Sequence, residues 1–388
     1  MKKAWKFLSY VLVAALATAV TLFAVCGVEG IGVPGKLGQL EALILDRFIG
    51  ETDQIAMEDA AASAMIGVLG DRWSYYISAD DYQSHQEQMD NAYVGIGVTI
   101  QIREDGTGID IVEVSAGGSA EEAGVQVGDI LIAVDGQSIL EMDTSQVRNM
   151  VRGEENTKIS MTFLRDGREL TLELTRKTIQ NPVATGMMLE HNIGLVTIEN
   201  FDSRCRDESV AAIEALLEQG AKALIFDVRF NPGGYRHELV SLLDYLLPEG
   251  ELFRSEDYAG KVEVDKSDAN CLDIPMAVLV NGDSYSAAEF FAAALSEYDA
   301  AVVVGEQTCG KGYYQQTFRL SDGSAVGLSV GKYYTPKGVS LAETGGLIPD
   351  IPVEVDEQTA YAIYTGTQDP AGDPQIQAAI ASLMSENF

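Results

Sequence analysis

Residues 275–298, PMAVLVNGDSYSAAEFFAAALSEY, decide the fold. An unbroken apolar run of strand length enters a polar turn, and the chain leaves that turn in an alanine-rich helical run. A strand with no polar alternation is one covered on both faces. The same unit recurs upstream. AKALIFDVRF (221–230) leads through Asn231-Pro232-Gly233-Gly234 into HELVSLLDYLL (237–247), and IGLVTIENF (193–201) precedes the amphipathic DESVAAIEALLEQG (207–220). AAVVVGE (300–306) adds a further strand. Strand–helix alternation from about residue 192 to 355 predicts an α/β core.

Before this core the period changes. YVGIGVTIQI (93–102) and IDIVEV (109–114) alternate as strands, and Asp166-Gly167 joins KISMTFLR to ELTLELTR as a hairpin. A helix is expected near Ser145–Val151. The run Gly118-Ser119-Ala120…Gly128-Asp129-Ile130-Leu131…Asp135-Gly136 makes Tyr93–Lys177 resemble a PDZ domain. That resemblance implies that Tyr93, Val94, Gly95, Ile96 and Gly97 form the loop that captures a peptide's C-terminal carboxylate, the peptide adding as an edge strand.

Further out, residues 37–89 read as helical, with Asp53 capping a second helix that ends at Gly70. Phe7–Val28 is an uncharged 22-residue stretch preceded by Lys2, Lys3 and Lys6. It is long enough to cross a bilayer, and its basic flank orients the remaining chain outside the cytoplasm. The alternatives are signal cleavage after Ala17-Thr18-Ala19 and lipidation at Cys26. The expected divisions are 1–31 anchor, 32–92 helical, 93–178 PDZ-like, 179–355 core and 356–388 helical tail, the tail suited to packing on the core or on a second copy of the chain in a homodimer.

The net charge of −33 excludes nucleic acid as a partner, since phosphate backbones need clustered Lys and Arg. It also means that a lysine acting as a neutral base needs local burial against this field. Cys26, Cys205, Cys271 and Cys309 lack CxxC spacing, and His85, His191 and His237 lack metal-ligand spacing, so no metal or other cofactor is expected. A disulfide among the last three cysteines is compatible with an extracytoplasmic location.

The core's turns carry the chemistry. Two glycines after Asn231-Pro232 open a helix and leave backbone amides for negative charge. Ser284 suits a helix cap, and Ser286 stands just inside with the Ala287 amide beside it. Lys311 lies between Gly310 and Gly312; the phosphate-loop pattern from Gly305 fails at Gly312, and a strand follows where a helix is required. Gln315, four residues on, is placed to hydrogen-bond the lysine. Singly these are a turn, a cap, a loop cation and a surface glutamine.

Together they closely resemble the carboxyl-terminal processing proteases of the serine-lysine class. The Ser286…Lys311…Gln315 spacing carries the resemblance, with the NPGG turn, Gly305–Thr308, Tyr334–Gly338 and Gly346–Asp350. It implies a crotonase-like core, Ser286 as nucleophile, Lys311 as general base, Gln315 orienting the lysine, and an oxyanion hole from Ala287 and Gly233 or its neighbour Gly234. It implies no cofactor, with protein or peptide C-termini as partners. Asp283, Tyr285 and Cys309 depart from the family's usual residues: Tyr285 is placed to narrow the cleft and Asp283 to hold Lys311 as a cation. The rival readings are a catalytically inactive PDZ-type peptide-binding scaffold, His237 as the base, and acyl-CoA chemistry on the crotonase-like core.

Overall fold

The computed structural model describes residues 35–385, apart from 90, 104, 105, 116 and 141. The predicted anchor, Phe7–Val28, lies outside the described residues. No helix among the described residues is long and apolar enough to cross a membrane. Residues up to Asp71 form one compact unit and Arg72 onward another.

The first unit contains the helices Lys36–Arg47 and Gln54–Gly67. Asp53 caps the second as expected, its carboxylate accepting from Ala56 N at 3.0 Å. Neither helix buries a residue.

In the second unit a six-stranded sheet forms the core, ordered Ala184–Met188, Ile193–Ile198, Ala223–Asp227, Met276–Val280, Ala301–Gly305, Ile351–Pro352. The first pair is antiparallel and the others are parallel. The apolar runs are explained by two cores, one on each face. Leu224, Phe226, Val278 and Val280 pack under the helices Cys205–Glu218, Arg236–Leu246 and Ala287–Glu297. Their neighbours Ala223, Ile225, Ala277 and Leu279 pack instead against Ile376, Ala379, Ile380 and Leu383 of the C-terminal helix Pro374–Ser385. Successive strand residues point to opposite faces, so both faces must be apolar. The tail is therefore part of the core.

The reading of pure strand–helix alternation needs correction. A second sheet joins Tyr75–Ile77, Gly250–Asp257, Val262–Ser267, Tyr313–Arg319 and Ala325–Tyr334, with all its pairings antiparallel. Gly250–Asp257 and Val262–Ser267 are rich in charge and only partly buried, so they lack the apolar run that marks the core strands. Tyr75–Ile77 also interrupts the region expected to be wholly helical.

The β-rich region has its own core of Ile96, Ile109, Ile111, Leu131, Phe163 and others. Asp166 and Gly167 both have positive φ (50° and 74°), as a two-residue hairpin turn requires. YVGIGVTIQI is two strands, Ala92–Gly95 and Val98–Ile102, parted where Gly97 takes φ +79°. The helix is Thr144–Val151. Cys205, Cys271 and Cys309 are all free thiols, so the disulfide expectation fails for these three.

Candidate active site

The site lies where strands Ala223–Asp227 and Met276–Val280 release the chain. Ser284, expected to cap the helix, is instead a buried tie between the two turns. Its hydroxyl donates to Val228 O at 2.7 Å and accepts from Asn281 N at 3.0 Å. Ser286 occupies the cap position of the helix Ala287–Glu297, with φ 59° and ψ −125°. That backbone region costs a non-glycine residue about 1–3 kcal/mol, and here it holds Ser286, only 9% exposed, on a sharp strand-to-helix turn.

The turn after Phe230 sits directly against it. A Cβ on Gly233, whose φ is +87°, would lie 2.7 Å from Ser286 Cβ and 2.8 Å from Ala287 N. Only glycine fits there, and the Gly233–Gly234 turn therefore lies beside the Ala287 amide. Gly233 N donates to Asn231 Oδ1 at 2.8 Å. Gly234 bridges to Phe201 through the flanking groups, Phe201 N to Gly233 O and Tyr235 N to Phe201 O, which do not use its own amide.

Glu289 connects the serine to the lysine. Its carboxylate is fully buried. One oxygen accepts from Ser286 N (3.0 Å) and Lys311 N (2.8 Å), the other from Thr308 Oγ1 and Gly310 N (both 2.6 Å). The backbones of Ser286 and Lys311 are thus held on one carboxylate oxygen. Lys311 Nζ lies 4.7 Å from the Trp73 ring centroid and 5.5 Å from that of Tyr285. The two rings are themselves 5.8 Å apart. Aromatic faces favour an ammonium ion, so this arrangement suits a lysine carrying its proton. Burial pushes the Tyr285 phenol above the usual range.

Gln315 donates its amide nitrogen to Tyr313 O (3.2 Å) and Ser329 Oγ (3.0 Å), so its oxygen is what it can offer a lysine N–H. His237 is exposed on the helix after the NPGG turn, its Nε2 3.3 Å from Glu238. Among the described residues no cluster of His, Cys, Asp or Glu could hold a metal.

Tyr93, Gly95, Ile96 and Gly97 line a groove of about 290 Å³ between the edge strand Val98–Ile102 and the helix Thr144–Val151. Val94 is not part of that lining. The carbonyls of Ile96 and Gly97 are turned into the domain, to Ala120 N and Ser115 N.

Glu289 and Trp73 were not singled out from the sequence, and Asn231 was read there only as part of the NPGG turn. Ser286-x-x-Glu289 is the spacing of a capping box, which gave a usable signal for Glu289. Trp73 carries no comparable local signature.

Comparison with known proteins agrees with this organisation. Residues 192–353 match the model of peptidase family S41, and residues 111–165 match a PDZ domain. The chain is 31% identical to carboxy-terminal processing protease CtpA of Bacillus subtilis over 370 residues, spanning 92% of this chain and 79% of that one. It is 32% identical to a carboxyl-terminal-processing protease of Synechocystis over 330 residues, spanning 83% and 76%. A putative S41 protease from Bacteroides fragilis shares the fold, with a TM-score of 0.54 at 15% identity over 92% of this chain and all of that one. The extent of these relationships places the chain in the carboxyl-terminal processing proteases of peptidase family S41, serine peptidases that carry a PDZ domain.

Proposed function

We propose that the chain cleaves proteins near their C-termini with a Ser286–Lys311 dyad and captures substrate tails on its PDZ domain. The observation that carries the dyad is the Glu289 carboxylate, which fixes the backbones of Ser286 and Lys311 on a single oxygen. Ser286 attacks the peptide carbonyl once neutral Lys311 accepts its proton, and water then hydrolyses the acyl-enzyme. The Gln315 oxygen holds one lysine N–H and so aims the lone pair. Ala287 N–H and the Gly233–Gly234 turn receive the oxyanion. With Asn231 holding the Gly233 amide, that of Gly234 is the donor ready in this conformation. The Trp73 and Tyr285 rings beside Lys311 Nζ stabilise the ammonium that forms when the lysine takes the serine proton.

The basic flank and the 22-residue apolar stretch support a single-pass anchor with residues 32–388 outside the cytoplasm. Within that part, 93–178 serves as the tail-binding domain and 179–355 as the protease. Leu40 and Leu43 are each more than half exposed on a helix that buries nothing, as is Phe48 just beyond its end, which supports a homodimer covering that face.

A catalytically silent scaffold would bind tails without cutting them. The test is to incubate the full chain with a peptide ending in a free apolar residue, beside its amidated twin, and to map products by mass spectrometry. Cleavage of the free-ended peptide by wild type and not by Ser286→Ala supports the reading. Intact peptide with wild type, or cleavage by Ser286→Ala, refutes it.

A further inference from the structure

We propose that the PDZ groove selects substrate tails with an acidic side chain at the third residue from the end, through Arg148 and Thr144; this rests on the tail-capture reading above. The groove wall is mostly apolar, with Ile96, Val98, Ile100, Leu131, Val151 and Met161 on it. Arg148 and Arg152 are the charged side chains on that wall. They are not equivalent. Arg152 is paired with Glu87 at 2.8 Å and lies over the Tyr93 ring at 5.3 Å. Arg148 is exposed and has no ion pair among the described residues.

The Arg152–Tyr93 contact sets the register. Tyr93 opens the 93–97 loop, so the C-terminal end of the helix lies at the carboxylate end of the groove. Strand Val98–Ile102 is an edge of its sheet, paired with Ile109–Val114 and open on its other side. A tail added there antiparallel to it runs from the loop towards Thr144. Arg148 is four residues, or about 6 Å, back along the helix from Arg152. Two strand residues span about 6.6 Å, and alternate side chains share a face. The last residue and the third from the end therefore both face the helix, and the latter arrives opposite Arg148. Thr144, one turn further, lies on the same face with its hydroxyl. A guanidinium and a hydroxyl at that spacing suit a carboxylate.

The nearby acids do not take this place. Asp143 caps the helix through Gln146 N at 2.8 Å, and Glu113 is engaged by Thr99 Oγ1 at 3.0 Å across the strand pair. With a net charge of −33 the protein as a whole repels acidic peptides, so a preference for acid has to come from a local site.

The test is fluorescence anisotropy with labelled peptides ending Glu-Ala-Val, Gln-Ala-Val or Lys-Ala-Val, on the full chain carrying Ser286→Ala to prevent turnover. The Glu peptide is expected to bind about fivefold tighter than the Gln peptide, and the Lys peptide weakest, as for a partly exposed ion pair. Arg148→Glu, an exposed change that leaves the fold intact, is expected to reverse the order. Equal binding of Glu and Gln peptides, or an unchanged order in Arg148→Glu, overturns the proposal while leaving tail capture standing. If none of the three peptides binds, tail capture falls and the proposal falls with it.

Discussion

Replacing Glu289 with Gln tests the architecture of the site with a change of a single atom type. The carboxylate accepts four hydrogen bonds, two on each oxygen, with no exposure to water. The new amide nitrogen is best placed on the oxygen that faces Thr308, because that hydroxyl can turn and accept. Gly310 N then faces a donor and is orphaned, at about 1–3 kcal/mol. The bonds to Ser286 N and Lys311 N survive but lose their charge assistance, roughly another 1 kcal/mol. A total of about 2–4 kcal/mol leaves a chain of this size folded, while the loop carrying Lys311 shifts against Ser286. Misplacement on the order of 1 Å costs about 10²-fold in rate. Steady-state kinetics on a peptide, with thermal melting alongside, should show kcat down about 10²-fold, KM nearly unchanged and a modest loss in Tm. A Glu289→Gln enzyme within threefold of wild-type kcat would refute the claim that this carboxylate aligns the pair.

Gly233→Ala should abolish turnover, because its Cβ would overlap Ser286 Cβ and Ala287 N; a normally active variant would show that the turn is not packed against the serine. Arg229 is buried with Asp227, Asp373 and Gln375, joining the strand end to the C-terminal helix. Arg229→Met leaves two buried carboxylates uncompensated and should cost about 3–5 kcal/mol; limited proteolysis should then cut near residues 370–385, and unchanged resistance would contradict the docking role. In the PDZ domain burial opposes ionisation of Asp129, but the two-pronged Arg165 pair and the Gln126 N–H outweigh it and hold its carboxyl below the usual range. Its stabilisation is therefore complete above the ordinary carboxylate pKa and lost as pH falls through the lower folded value. Acid unfolding of that domain should become shallower in Asp129→Asn, and an unaltered acid transition would rule this pair out as its cause.

The parts legible in sequence were those governed by local rules. MAVLV and ALIFD read as buried strands because both their faces meet apolar helices, and Asp166-Gly167 read as a hairpin because few other pairs take positive φ twice. Most of the second sheet was not legible; only its strand after Lys311, Tyr313–Arg319, could be read. Its strands draw their stability from partners as remote as Tyr75 and Gly327, and a half-buried strand with charge on its open face resembles a loop. At the site, Ser286, Lys311 and the NPGG turn were picked out by the family resemblance that their spacing carries. Ser284 could not: a serine before a helix resembles a cap, whereas its hydroxyl is taken by Val228, over fifty residues away. Trp73 reaches Lys311 from a segment with no periodic signal, and so the aromatic surroundings of the lysine emerged only from the fold.

The central claim is that Lys311 is the base for Ser286. The most direct measurement is peptide turnover by purified Lys311→Ala beside wild type and Ser286→Ala, with melting curves to show that all three fold. Loss of a general base costs about 10²–10⁴-fold, so Lys311→Ala is expected to fall at least that far with little change in Tm. A folded Lys311→Ala protein that retains turnover within tenfold of wild type would contradict the account.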